Sequence, residues 1–260
     1  MLETYLPRER KTLVQLEKLF DDWHKALSKE NYYEKNGLSP DCFIMDGIFP
    51  CFSTQKIKIL YMGRESYDLE GMNYIDWHYN WIKAGKNNVK SPNQIATWRK
   101  LLKFTWGMLH GKEWDEIPNA DLLRDIFASP SGFSLGMVNL SKISRPWNGS
   151  SKADWSLING FINTSLATGE NFQLGEIGII KPDLIIAMNL LDYADERLFG
   201  ARLEYVKHPN PDVAIFSLIC DDARIPLLDT WHFASSKNER QMYESLCEAI
   251  GELDWRLFAP

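Results

Sequence analysis

The apolar run at residues 57–62 is followed at once by Gly63-Arg64-Glu65-Ser66-Tyr67-Asp68. Three further apolar runs also stop at polar residues: Asn139 to Lys142, Met188 with Asn189, and Trp231 to Ser236. Together these side chains suit attack by water on a polarised bond. Glu65 orients or deprotonates the water, and His232 donates a hydrogen bond to charge building on a leaving group. Asn139 reads an amide edge by pairing a donor with an acceptor. Tyr67 and Trp231 add aromatic walls. Each residue also has a plainer reading, as a solvated loop glutamate, a hydrogen-bonded structural histidine or a turn-capping carboxamide. Their joint placement at strand ends is what points to chemistry.

The elements that position them follow from periodicity. Leu13, Leu16, Phe20, Trp23 and Leu27 form one apolar stripe over residues 8–29, which predicts a helix. Residues 57–62 alternate little and stop at Gly63, as a strand covered on both faces would. A helix is predicted with Ile95, Trp98, Leu102, Thr105 and Leu109 on one side, closing at Gly111. Another carries Trp155, Ile158, Ile162 and Ser165, and a terminal one packs through Met242, Leu246 and Ile250. Apolar runs ending at Asn139, at Asn189 and before Trp231 supply three more strands. Alternating strands and helices predict a three-layer α/β/α domain with a four-stranded, mainly parallel central sheet. One domain is expected over 1–260, with 1–40 as an N-terminal helical extension packed on it. In such a sheet, ligands bind beyond the carboxyl ends of the strands, where strand order reverses.

Composition narrows the function classes. The chain has 260 residues, is 45% hydrophobic and 25% charged, and carries a formal charge of -6, so a nucleic-acid partner would need a local basic patch. No apolar run approaches the roughly 20 residues of a membrane span, and a cytoplasmic, monomeric protein with no membrane partner is expected. Cys42, Cys51, Cys220 and Cys247 form no zinc-type or iron-sulfur spacing, so reduced thiols, no metal and no cofactor are expected. There is no GxxxxGK[ST], no GxGxxG after a strand and no HExxH. The loop 144–152 sets Arg145 and Lys152, with Lys142 nearby, around Trp147, which suits a stacked base and a phosphate or simply a turn anchored by a tryptophan. "HPNPD" at 208–212 reads as a rigid turn. Trp77 and Trp81, at i and i+4, read as a core face.

In order, "ILYMGRESYD", "LGMVNLS", "KPDLIIAMN" and "LLDTWHFASS" resemble the motifs of the uracil-DNA glycosylase superfamily over about residues 44–250. The resemblance implies a uracil-DNA glycosylase-like fold and a metal-independent N-glycosylase that extrudes a deaminated or damaged, uracil-like base from DNA and hydrolyses its glycosidic bond. It implies Glu65 as the water-activating carboxylate and His232 as donor to the departing base. Gly63, Arg64, Ser66, Tyr67, Asn139 and Tyr74 would contact the substrate. Lys142, Arg145, Trp147, Ser235 and Ser236 would contact DNA. The chain departs from the pattern at Glu65 and Ser66, where the motif has Asp and Pro, and at His-Phe-Ala-Ser, where it has His-Pro-Ser. "HPNP" makes His208 a rival to His232. Two other functions stay open: a non-catalytic module that keeps the fold and binds a nucleobase, a nucleic acid or a protein partner, and hydrolysis of a free nucleoside or another small amide-like ligand in the same pocket.

Overall fold

The short runs of branched and aliphatic residues that end at polar positions do form strands. The computed structural model describes residues 2–84, 90–146, 153–190, 198–199, 202–221, 223–255 and 258. Its strands are β1 (Gly47–Ile48), β2 (Ile59–Gly63), β3 (Ser66–Tyr67), β4 (Gly136–Asn139), β5 (Ser144–Arg145), β6 (Leu184–Met188), β7 (Leu203–Asn210), β8 (Val213–Cys220) and β9 (Ala223–Thr230). Its helices are α1 (Pro7–Lys29), α2 (Tyr32–Lys35), α3 (Tyr74–Ala84), α4 (Ala96–His110), α5 (Ala120–Leu123), α6 (Trp155–Ala167), α7 (Phe172–Ile180) and α8 (Glu239–Gly251).

The main sheet has seven strands in the order β1-β4-β2-β6-β9-β8-β7, not the four expected. The four expected strands are its parallel centre: β4, β2, β6 and β9 run side by side in one direction. Every residue of β2, β4 and β6 is buried, which is why their sequences show apolar runs without alternation. The additional strands are antiparallel edges, β1 on β4 and the β8–β7 pair on β9. β7 is mostly polar, carries two register shifts and contains Pro209, all features of an edge strand. The predicted turn at 208–212 is therefore confined to Pro211 and Asp212, and His208 lies within β7.

Successive residues of β2 point to opposite faces and enter different cores. Leu60 and Met62 join α1, α6 and α7, through Trp23, Phe161 and Ile177. Ile59 and Tyr61 join α3, α4 and α8, through Ile82, Leu101 and Leu246. Helix α1 packs against the sheet in this layer, with Leu16, Phe20, Trp23 and Leu27 all buried. Its first turn is fastened by the buried Glu9 carboxylate, which accepts from the backbone N–H groups of Leu6, Cys51 and Ser53. The four cysteines are free, three of them buried. Among the described residues, no helix is long and apolar enough to cross a membrane.

Between the sheet and the α1 layer lies a buried ionic cluster. The Lys142 ammonium donates to Asp46 Oδ1 at 2.6 Å and Glu176 Oε2 at 2.8 Å, and all three side chains are inaccessible to solvent. Lys142 also sits over the Phe20 and Trp23 rings. Burial opposes its charge, but the two carboxylates prevail and raise its pKa. Burial pushes the Glu176 carboxyl well above the usual range against the pull of Lys142. Asp46 Oδ2 accepts the backbone N–H of Asn139 at 2.7 Å, fixing the carboxyl end of β4. Removing one partner from such a cluster strands a buried charge. Lys142→Met is expected to lower unfolding free energy by about 3–5 kcal/mol, read from urea denaturation midpoints, and an unchanged midpoint would contradict it.

Candidate functional site

β2 and β4 lie in parallel at the centre of the sheet, and the connections leaving their carboxyl ends stay paired. Leu140 N–H donates to Gly63 O and Ser141 N–H to Arg64 O, each at 2.9 Å. Ser66 and Tyr67 of β3 then pair with Ser144 and Arg145 of β5. The chain passes from β2 through β4 to β6 by crossing over β2, so strand order reverses at this point. A cavity of about 800 Å³ opens there, within the roughly 300–1,000 Å³ of small-molecule sites.

Gly63, Arg64, Glu65, Ser66, Tyr67, Tyr74, Asn139 and His232 all line this one cavity. Gly63 permits the close approach of Asn139: a Cβ there would stand 2.6 Å from Asn139 Oδ1 and 2.8 Å from Met137 Cε. Asn139 is 2% exposed, and its Nδ2 has no hydrogen-bond partner among the described residues. The same holds for Ser66 Oγ, on a residue 4% exposed. Buried donors without partners are costly, and both belong to residues on the wall of a cavity.

Glu65 is placed in the cavity but not freed for the work expected of it. Its Oε1 accepts from the Tyr67 hydroxyl (2.8 Å), Arg145 Nη2 (2.9 Å) and Asp154 N–H (3.1 Å), and its Oε2 from Arg145 Nε (3.0 Å). The side chain is 2% exposed. Both carboxylate oxygens are taken up by these bonds, so Glu65 clamps the two connections together instead of holding a water. Burial, reinforced by Glu65, pushes the Tyr67 phenol up to about 12, so it remains a donor at neutral pH.

His232 follows β9. Its Nδ1 accepts the Ala234 N–H at 3.1 Å, which leaves the ring proton on Nε2. Burial, helped by the positive charges of Arg64 and Lys100, pushes its pKa down to about 4, so at neutral pH it is an uncharged donor. Lys100, 1% exposed on α4, donates to the carbonyls of Phe233 and Ser235 and so holds the turn that carries His232. His208 is not on the cavity wall; its Nδ1 lies 3.2 Å from the Val213 carbonyl inside the edge hairpin.

The expected DNA-contact set does not assemble. Lys142 is sealed in the ionic cluster and Arg145 is taken by Glu65, so neither has a cation to offer phosphate. Ser235 is half-buried and Ser236 exposed, and neither lines the cavity. Trp147 lies outside the described residues. Trp77 and Trp81 do form a core face, as their spacing predicts, and the same face lines the cavity: Trp77, His78 and Trp81 from α3 and Trp98 from α4 join Tyr74 on its wall. Among the described residues no group of three or more His, Cys, Asp or Glu side chains converges as a metal site would.

No family model matches the chain, and no curated protein matches it. Among solved structures it is similar to a domain of unknown function (DUF1537) from Bordetella bronchiseptica, crystallised with citrate as a domain-swapped dimer. Identity is 10%, the match covers 78% of this chain and 41% of that one, and the TM-score is 0.29, too low to carry any inference. The chain thus spans about two fifths of the matched structure. The resemblance to the uracil-DNA glycosylase superfamily is not upheld: no family model matches the chain, that family's included. Gly, Asn and His at strand ends are what any parallel sheet edge uses for close approach and polar contact, and they do not identify a family.

Two outcomes follow from this geometry. Gly63→Ala is expected to displace the Asn139 carboxamide, seen as a shifted Asn139 side-chain amide resonance in a protein that still folds; an unmoved resonance would show that the close approach is not needed. Burial also pushes His78 down to about 3 and His232 to about 4, from 6.5. The unfolded chain therefore takes up protons first, so this contribution to stability is full above about pH 6.5 and declines as pH falls toward 4. His78→Phe should flatten that decline in urea midpoints, and an identical slope would refute it.

Proposed function

We propose that the cavity binds a planar nitrogen heterocycle of nucleobase type. The observation that carries this reading is the partnerless amide of Asn139 on the wall of an aromatic-rich cavity at the switch point of the sheet. Its Nδ2 offers a hydrogen bond to a ring carbonyl or ring nitrogen, and the Nε2–H of His232 offers another. Tyr74, Trp77 and Trp98 provide faces or edges for an aromatic ring, a contact worth roughly 1–3 kcal/mol per base. Arg64 and Lys90 are the lining cations and suit a ribose-linked phosphate. With Lys142 and Arg145 withdrawn and a charge of -6, a free nucleoside or nucleotide accounts for the site more economically than DNA does.

Hydrolysis of an N-glycosidic bond is the second reading, favoured by His232. A neutral imidazole held as a donor stabilises negative charge appearing on a departing base without first losing a proton of its own. Glu65 cannot serve as the base in this reading, so water would attack a bond weakened mainly by His232 and by binding.

Calorimetric titration with uracil, hypoxanthine, their nucleosides and nucleotides, and uracil-containing oligonucleotides tests both readings. Binding that weakens about tenfold or more in Asn139→Ala is expected, the loss of one buried hydrogen bond. Base release that disappears in His232→Ala supports hydrolysis, and binding without release supports a binding module. No binding by any of these compounds overturns the proposal.

A further inference from the structure

One side chain of the aromatic wall also has a lone pair fixed in place. His78 Nδ1 lies 2.8 Å from the carbonyl oxygen of Tyr74, one helical turn earlier on α3. A carbonyl oxygen only accepts, so Nδ1 carries the ring proton and Nε2 is left as an acceptor. The ring is packed among neighbours, tilted against Tyr74 and Trp98 and edge-on to Trp77 with centroids 4.1, 4.6 and 4.8 Å away, and turning it over would put a C–H in place of the Nδ1–H that bonds the Tyr74 carbonyl. His78 is 8% exposed and lines the cavity, and no described residue donates to its Nε2. Burial pushes the pKa of the imidazole down to about 3, so the acceptor is not lost to protonation near neutral pH.

We infer that His78 is a specificity-determining residue: its Nε2 accepts a hydrogen bond from a ring N–H or exocyclic amino group of the bound heterocycle, so the cavity selects bases with a free N–H over N-alkylated ones. The inference rests on the heterocycle reading of the cavity and deepens it. Asn139 Nδ2 and the His232 Nε2–H are donors, and the acceptor beside them, Asn139 Oδ1, lies against Gly63. His78 adds the complementary demand, and a donor and acceptors on one edge is the pattern of a lactam or amidine. An N-methyl group facing His78 would leave the lone pair buried and unpaired, which corresponds to a loss of about 10- to 100-fold in affinity.

The test is calorimetry on the full chain with two matched pairs, uracil against its N,N′-dimethyl derivative and xanthine against its trimethyl derivative. The wild-type protein is expected to prefer the N–H member of each pair by about 10-fold or more. His78→Phe keeps a stacked ring and removes the lone pair, and it should bind both members without preference. Equal wild-type affinities, or a preference that survives in His78→Phe, overturn the role of His78 while the heterocycle reading stands. If none of the four compounds binds, that reading falls and the inference with it. Should His78→Phe fail to fold, the imidazole nitrogen shifts of the wild type decide by NMR: an Nε2 resonance that moves with the N–H members alone supports the inference, and one that moves equally with both members, or with neither, removes it.

Discussion

The ligand edge of this protein hangs on one buried ammonium. Lys142 lies just past β4, with no solvent access, between Asp46, which precedes β1, and Glu176 of α7. The aromatic rings of Phe20 and Trp23 on α1 lie beneath it. Four distant parts of the chain therefore meet at a point where an uncompensated charge would be severely unfavourable. The consequence reaches the site through Asp46, whose second oxygen holds the Asn139 N–H. The residue best placed to read a ligand is thus set by the ionic centre of the opposite layer.

A second charge pair organises the same region from the outer side. The backbone pairing of β2 with β4 persists beyond the strands, and the Glu65–Arg145 bonds with the Tyr67 hydroxyl lock the two connections together where they leave the sheet. This is a use of a carboxylate for rigidity. It holds the cavity floor still, and it removes Glu65 from proton transfer. Besides Glu65, the charged side chains on the cavity wall are Arg64, Asp68 and Lys90, whereas the Asn139 amide, the Ser66 hydroxyl and the imidazoles of His78 and His232 are uncharged at neutral pH. Neutral hydrogen-bonding groups set among aromatic rings suit a neutral heterocycle, which escapes the cost of desolvating a charge.

Much of the parallel centre was legible in the sequence because its strands are covered on both faces, which leaves uninterrupted apolar runs, and because each run ends in polar residues. Helices α1, α4, α6 and α8 announced themselves by one-sided stripes. Helix α7 did not, because Phe172, Gln173, Leu174, Glu176, Ile177 and Ile180 are buried all around it and no 3.6-residue period survives. The β7–β8 hairpin was hidden by a polar edge strand and by prolines that suggested a longer turn. Glu65, Asn139 and His232 could be picked from their positions at strand ends, and they do share a cavity. Their chemical states could not be picked. Arg145, which engages Glu65, and the two carboxyl partners of Lys142 lie between 34 and 96 residues away, and only the fold brings them together. His78 is not legible as a site residue in the sequence, because a histidine near two tryptophans has the pattern of a core face and only the fold places it on a cavity wall.

The most direct test of the account is a crystal structure of the protein soaked with a nucleoside. The account predicts a base in the cavity bounded by Tyr74, Trp98, Asn139 and His232, with Asn139 Nδ2 within hydrogen-bonding distance of a base acceptor. A second cavity, of about 720 Å³, lies at the amino ends of β2, β6 and β9 and is lined by Lys58, Asp183, Ile225 and Trp255. A base found there instead, or one in the first cavity that leaves Asn139 without a partner, would contradict it.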